Sequence, residues 1–539
     1  MHNHMIISRR HFLRPAVLAV LLLLFAFALG NGIRFPAATA QAGAAAPYVV
    51  DLTGGYRVQP LLTVGEEVPR LIGDFGAYTA GDGTFALAGK PDGLGVYEGE
   101  DAYYVFVNHE ISSGQLSKIS AAGADRIDGA RVSVFQFTKA WQIVGGTNLI
   151  DTAVADGATY TLDLASGNYV EENGAVLNAA SGPNFSRFCS GTLATAGFVD
   201  GNGDPTPVWF TAEEKGAPGR GWAVFAGGTA LALDGLGRYS KEQVYPASQY
   251  RAANAGVTVL LSTEDTPDGE IYLFVGRQTA ADPNGFGDGD LYVLRAEDSQ
   301  GNVYAYETIP EGVPVHGVWT PVPQAIALAD GATLSAWVND GQRSTNFRRP
   351  EDLHEDPNNP GTFYFATTGH NSAPPGMSEP DNAFGRLYTF TLNPEDPAGP
   401  FSLELVLQGS PEHGVSYDNL AVDGNGRVII QEDRAAGGAT VMAAQQRYAR
   451  VLAYDIAGDE VQMLLEANQG QVDPAVAGDY GNWETSGVVE VAARPLPGRS
   501  GYLLDVQAHS VPHPDYVEGG QLVLVTPVLH VHLPLLSRD

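Results

Sequence analysis

Cysteine is almost missing from this chain: Cys189 is the only one in 539 residues. A lone cysteine makes no disulfide within its own chain, so stability has to come from the core or from bound ions. Basic residues are scarce too, 30 against 62 acidic ones, for a formal charge of -32. That balance, with no basic cluster, argues against nucleic acid and anionic lipid as partners and favours cations. Beyond residue 30 no apolar run is long enough to span a bilayer. Helical periodicity is rare. There is no Walker loop, no nucleophile-elbow serine and no HExxH pair, which removes P-loop, α/β-hydrolase and zincin chemistry.

What is present begins with a leader. Arg9-Arg10, Phe12-Leu13, an apolar run from Ala16 to Gly30 and Ala38-Thr39-Ala40 read as a twin-arginine export signal with a cleavage site before Gln41. The expected organisation is a signal peptide over 1–40 and one domain over 41–539. The mature protein is expected in the periplasm, at the cell surface or in the medium, without stable membrane association. Residues 1–40 carry four arginines and no acid, so cleavage takes the charge to -36.

Short aromatic and β-branched runs recur along the rest, among them Tyr103–Val107, Val208–Phe210, Val257–Leu261, Thr362–Thr367, Val428–Ile430 and Gln521–Val525. Turn residues such as Asp423-Gly-Asn-Gly426 separate them. The chain is therefore expected to be all-β. A loose repeat of strand, acid pair and return strand predicts a single β-propeller with long inserted loops.

The acids recur at the strand ends. They are Asn108-His109-Glu110, Glu213-Glu214, Glu270, Glu351-Asp352, Asp418-Asn419 and Glu432-Asp433. Two carboxylates about 4 Å apart repel by roughly 4 kcal/mol at an effective dielectric near 20. Several meeting in one channel would need cations or protons. Carboxylate and amide oxygens suit calcium, whereas one thiolate among carboxylates is better matched to ferric iron. With no second cysteine, a Cys-rich zinc site is excluded. Arg349, two residues before Glu351, could fork onto phosphate oxygens or pair with a neighbouring acid. Asp200-Gly-Asn-Gly-Asp204 starts like an EF-hand loop, but Pro205 and Thr211 break it, and Asp288-Gly-Asp290 is equally ambiguous. His530 and His532 read as incidental.

Val107-Asn-His-Glu110, the Cys189 segment followed by Trp209-Phe-Thr-Ala-Glu-Glu214, Gly237-Arg-Tyr-Ser-Lys-Glu242, Arg349-Pro-Glu351 and Tyr417-Asp-Asn-Leu-Ala421 with Glu432-Asp433 occur in that order. With the leader, the series resembles the PhoX-type alkaline phosphatases, as a divergent member. The resemblance implies a monomeric, six-bladed propeller that hydrolyses small phosphate monoesters with iron (Fe3+) and calcium in its channel. It implies Cys189 as an iron-bridging thiolate, Glu213 or Glu214 with Glu270 and Glu351 on the iron side, and Asn108, Glu110, Glu432 and Asp433 on the calcium side. Arg349 would grip phosphate, making Arg349, Glu351 and Cys189 the catalytic set. Two alternatives stay open: a non-catalytic, calcium-stabilised propeller that binds a surface partner, and a calcium-only, phytase-like hydrolase. Trp483–Gly487 and Asp505–His509 look motif-like, without an evident role.

Overall fold

Six strands govern the architecture: β1 (Pro91–Glu98), β2 (Phe188–Ala194), β3 (Lys241–Pro246), β4 (Pro350–Glu355), β5 (Tyr417–Val422) and β6 (Trp483–Leu496). In the computed structural model each is the end strand of an antiparallel run, followed in sequence by its hydrogen-bonded neighbour. Those neighbours are Ala102–His109, Val208–Glu213, Val257–Glu264, Thr362–Thr367, Arg427–Glu432 and Arg499–His513. The structure describes residues 45–528, apart from 249, 251–255, 341, 375 and 497–498. The leader arginines, His530 and His532 lie outside the described residues.

The expectation of an all-β chain is met; the described helices are short. The runs starting at β3 and β4 join at their far edges, where Val315–Val322 pairs with Phe401–Gln408, giving one nine-stranded sheet. Its end strands β3 and β4 also lie side by side, so this sheet nearly closes on itself. Going round, β1 packs beside β2, β2 beside β3, β3 beside β4, β4 beside β5, β5 beside β6 and β6 beside β1. Two early strands complete sheets formed by the end of the chain. Val49–Asp51 pairs with Glu460–Ala467, and Tyr56–Thr63 with Val517–Pro527. Such pairing ties the first described residues to the last sheets and covers edges that would otherwise stay open.

Apolar alternation explains the layers between sheets. Phe135, Phe137 and Val105 of the first sheet meet Leu503, Leu522 and Leu524 of the last, while Leu504, Val506 and Val523 turn the other way towards Ile429 and Ala453. Close approach of the inner strands selects glycine at two places. A Cβ on Gly93 would sit 2.4 Å from Gly191 N, and one on Gly487 would sit 2.3 Å from Asp92 O. At the far end of β5, the Asp423–Gly426 turn is as expected, with Asp423 Oδ1 accepting from Asn425 N at 2.9 Å and Arg427 N at 3.0 Å. No helix among the described residues is long and apolar enough to cross a membrane.

Candidate metal centre

The six inner strands share one register, and that register builds the site. The first residue of each pairs with a residue near the end of the next strand: Pro91 with His109, Phe188 with Glu213, Lys241 with Glu264, Pro350 with Thr367, Tyr417 with Glu432 and Trp483 with Ala508. A bulge breaks the ladder in every pair, in five of them directly after that first residue. Bulges bend a strand and re-aim its side chains. Here the second residue of each inner strand faces one cavity: Asp92, Cys189, Glu242, Glu351, Asp418 and Glu484. These six donors form a lower tier.

One step outward, the residue after the paired position forms an upper tier of Glu110, Glu214, Asp265, Asp433 and His509. Facing them across the ladder stand Lys90, Arg187 and Arg349. Glu110 N donates to Lys90 O at 2.9 Å, Glu214 N to Arg187 O at 3.0 Å, and Thr368 N to Arg349 O at 3.0 Å. The resulting cavity of about 230 Å³ is lined by fourteen residues, all ionisable, nine of them Asp or Glu.

Within it, donor atoms gather in four linked triads whose members lie within 4.8 Å of one another. They are Asp92/Glu110/Cys189, Cys189/Glu214/Glu242, Glu242/Glu351/Asp418 and Asp418/Asp433/Glu484. Cys189, Glu242 and Asp418 each belong to two triads. The supporting contacts fix these groups. Ser190 Oγ donates to Glu242 at 2.6 Å, Asn419 Nδ2 to Asp92 at 3.1 Å, and Gln507 Nε2 to both Asp92 (3.1 Å) and Glu110 (3.2 Å). Thr368 Oγ1 donates to Glu351.

Crowding shows in the protonation of these groups. Burial raises the Asp92 carboxyl well above the usual range, and Glu110 adds to it. Burial, then Asp265, does the same to Glu351; burial, then Glu351, does it to Asp418. Glu242 and Asp433 are pushed up to about 7, again mainly by burial. The Cys189 thiol is raised by burial and then by Glu110, and its Sγ donates to Glu214 at 3.0 Å. Glu484 differs: burial opposes its charge, but His509 outweighs burial and holds it down to about 2. Burial likewise works against His509, yet Glu484 and Glu518 raise the imidazolium to about 11. Without cations, the raised carboxyls Asp92, Glu242, Glu351, Asp418 and Asp433 hold protons instead of charge.

Of the residues read from sequence, Cys189, Glu110, Glu214, Arg349, Glu351, Asp418 and Asp433 meet here. Four others do not line the cavity. Glu213 is turned into its sheet, paired to Lys215 Nζ at 2.8 Å and accepting from Trp222 Nε1 at 3.2 Å. Glu432 is held by Arg447 and by the amides of Val415 and Arg450. Glu270, on a third strand, accepts from Asn346 at 3.0 Å and Ser344 at 3.3 Å. Asn108 spends its amide on Cys189 O, Ser190 O and Thr211 Oγ1 and accepts from Trp209 Nε1. Each of these four side chains has protein partners away from the triads. Asp200 caps a plain turn through Asn202 N and Asp204 N, and Asp288 and Asp290 pair with Arg277.

Replacing Asn108 should therefore act on stability. Asn108→Ala strands several buried polar groups, at about 1–3 kcal/mol each. Equilibrium unfolding should show a loss of several kcal/mol, with metal content per folded chain unchanged. A fall in metal content at normal stability would make Asn108 a ligand instead.

The residues missed from sequence are Asp92, Glu242, Asp265, Glu484, Lys90, Arg187 and His509. The two segments without an evident role supply Glu484, Gln507 and His509 to the site.

A family model described as alkaline phosphatase PhoX matches residues 227–494. Among solved structures, Pseudomonas fluorescens PhoX in complex with vanadate, a transition state analogue, matches with a TM-score of 0.59 at 16% identity. The match covers 90% of this chain and 97% of that one. A thermostable family-43 glycoside hydrolase (TM-score 0.30, 10% identity, 69% and 92% covered) and a mutant Synechocystis apocarotenoid oxygenase (TM-score 0.33, 11% identity, 91% and 95% covered) share less of the fold. None of the curated proteins matches the chain. The likeness read from the motifs thus holds for the family model and for the fold.

Proposed function

We propose that this chain, which resembles the PhoX alkaline phosphatases in motifs, family model and fold, is an exported, metal-dependent phosphomonoesterase. On this reading β1 to β6 are the innermost strands of six propeller blades, and the cavity they surround is the active site. One observation carries the proposal: four linked donor triads, with the only thiol of the chain in two of them and cationic side chains above.

The residues present fit the expected metals. Nine carboxyl groups face only Lys90, Arg187, Arg349 and His509 as cations, and multivalent metal ions would neutralise the remaining excess. Asp92, Glu110, Glu214 and Glu242 around Cys189 make a mixed sulfur and oxygen donor set suited to iron. The triads of Glu242, Glu351 and Asp418 and of Asp418, Asp433 and Glu484 offer oxygen alone, which suits calcium. When bound, the metals supply Lewis-acid stabilisation of charge developing on a transferring phosphoryl group. The chain's own part is to orient. Arg349 is held by Asp265 (2.7 and 2.9 Å) and Glu351 (3.0 Å) through Nε and Nη2, which leaves Nη1 to donate to a phosphate oxygen.

Purified, metal-replete protein should hydrolyse an aryl phosphate, and Arg349→Lys should lower kcat/KM by about 10²-fold because lysine cannot reproduce the fork. Absence of hydrolysis with iron and calcium both supplied would refute the proposal. A second reading has one observation in its favour, the Cys189 thiol donating to Glu214 as a neutral group. It is a calcium-only hydrolase, in which chelating calcium abolishes activity and removing the thiol does not.

A further inference from the structure

Besides His509, three cations stand over the lower tier, and they are not equivalent. Arg187 bridges Glu110 and Glu214. Arg349 bridges Asp265 and Glu351. Lys90 lines the same cavity, where Glu110, then Glu518 and Glu484, favour its charge, yet its ammonium makes no hydrogen bond or ion pair among the described residues. It is fixed at its root: Glu110 N binds its carbonyl, and the next residue, Pro91, opens β1. The acids hold this part-buried ammonium in its charged form against the effect of burial, so it faces the cavity as a cation with its donors open to an incoming anion.

We propose that Lys90 is a substrate-binding residue, its ammonium receiving an oxygen of the phosphate dianion that enters above the metal centre. This rests on the proposed phosphatase reading and adds to it a second cationic contact on the far flank of the cavity from Arg349. A point charge with three rotatable donors suits a ligand that changes from ester to free phosphate during turnover, whereas a forked guanidinium fixes one orientation. Terminal phosphates, carrying two charges, would gain more from Lys90 than singly charged diesters.

The test uses metal-replete, full-length mature protein and inorganic phosphate as the probe. Phosphate binding is read by calorimetry and by competitive inhibition, with metal content measured for every sample. Lys90→Gln should raise the phosphate inhibition constant and KM about 10- to 100-fold, the range for losing one charged hydrogen bond. It should lower kcat less than KM rises and leave metal content at the wild-type value. Lys90→Arg should recover most of the affinity. The inference is overturned if Lys90→Gln binds phosphate as wild type does, or if it loses metal, which would make Lys90 a support of the metal centre. Wild-type protein that neither binds phosphate nor hydrolyses esters would overturn the inference and the proposed function together. Wild-type hydrolysis with an unaffected variant overturns the inference alone.

Discussion

Stripped of metal, the protein should lose thermal stability as pH rises from 5 to 8, and added divalent cation should restore more at pH 8 than at pH 5. The cause is the set of raised carboxyls. Glu242 moves from 4.5 to about 7 on folding and Asp433 from 3.8 to about 7, both mainly through burial. In the unfolded chain both have ionised by about pH 5, so between there and about 7 the folded state holds protons the unfolded state has released. Stability then falls with rising pH. A shift from 4.5 to about 7 corresponds to on the order of 3 kcal/mol for one group. His509 acts in the same direction, since its folded value of about 11 lies above its usual 6.5. Its stabilisation is complete below about 6.5 and drains away as pH climbs towards 11. Glu484, held down to about 2, contributes a constant amount across this window and loses it only in acid. Cations reverse the trend because they bind the ionised ligands, so their stabilisation grows with pH. Melting curves across pH, with and without calcium, read this directly. A flat metal-free profile would mean that the carboxyls are already paired by something else.

Cys189→Ser should have the largest effect on activity. The thiol belongs to two triads, so its loss removes the softest donor from both while leaving the two all-oxygen triads intact. Iron should be lost, calcium retained, and kcat should fall by at least about 10²-fold, the scale seen when a main stabiliser of transition-state charge is removed. Retained activity would favour calcium-only hydrolysis. Retained activity with iron still bound would remove the thiol from the centre altogether.

The strands, the recurring acids and the thiol were legible because they leave one-dimensional traces: aromatic and β-branched runs, turn glycines, acids at run ends. Which acid of a pair enters the cavity was not. Glu213-Glu214 and Glu432-Asp433 look alike in sequence, but strand alternation sends the first residue into the sheet packing and the second to the axis. The first of each pair has its own cation, Lys215 or Arg447, close in space. The lower tier was hidden for another reason. Asp92, Glu242 and Glu484 are second residues of strands whose openings, Pro-Asp-Gly, Lys-Glu-Gln and Trp-Glu-Thr, carry no common signature. What they share is a register and a bulge, which exist only once the partner strand has paired. Glu270 is similar: it precedes the third strand of its run, and its carboxylate accepts from Asn346 and Ser344 outside the cavity.

Elemental analysis of the purified protein, before and after stripping at low pH, puts the matter to the most direct test. Iron and calcium should both be present, at two or more multivalent cations per chain in total, and hydrolysis of an aryl phosphate should vanish on stripping and return only when both are resupplied. A protein that carries neither metal, melts at the same temperature at pH 5 and pH 8, and hydrolyses the ester unaided would contradict a cavity built to hold cations.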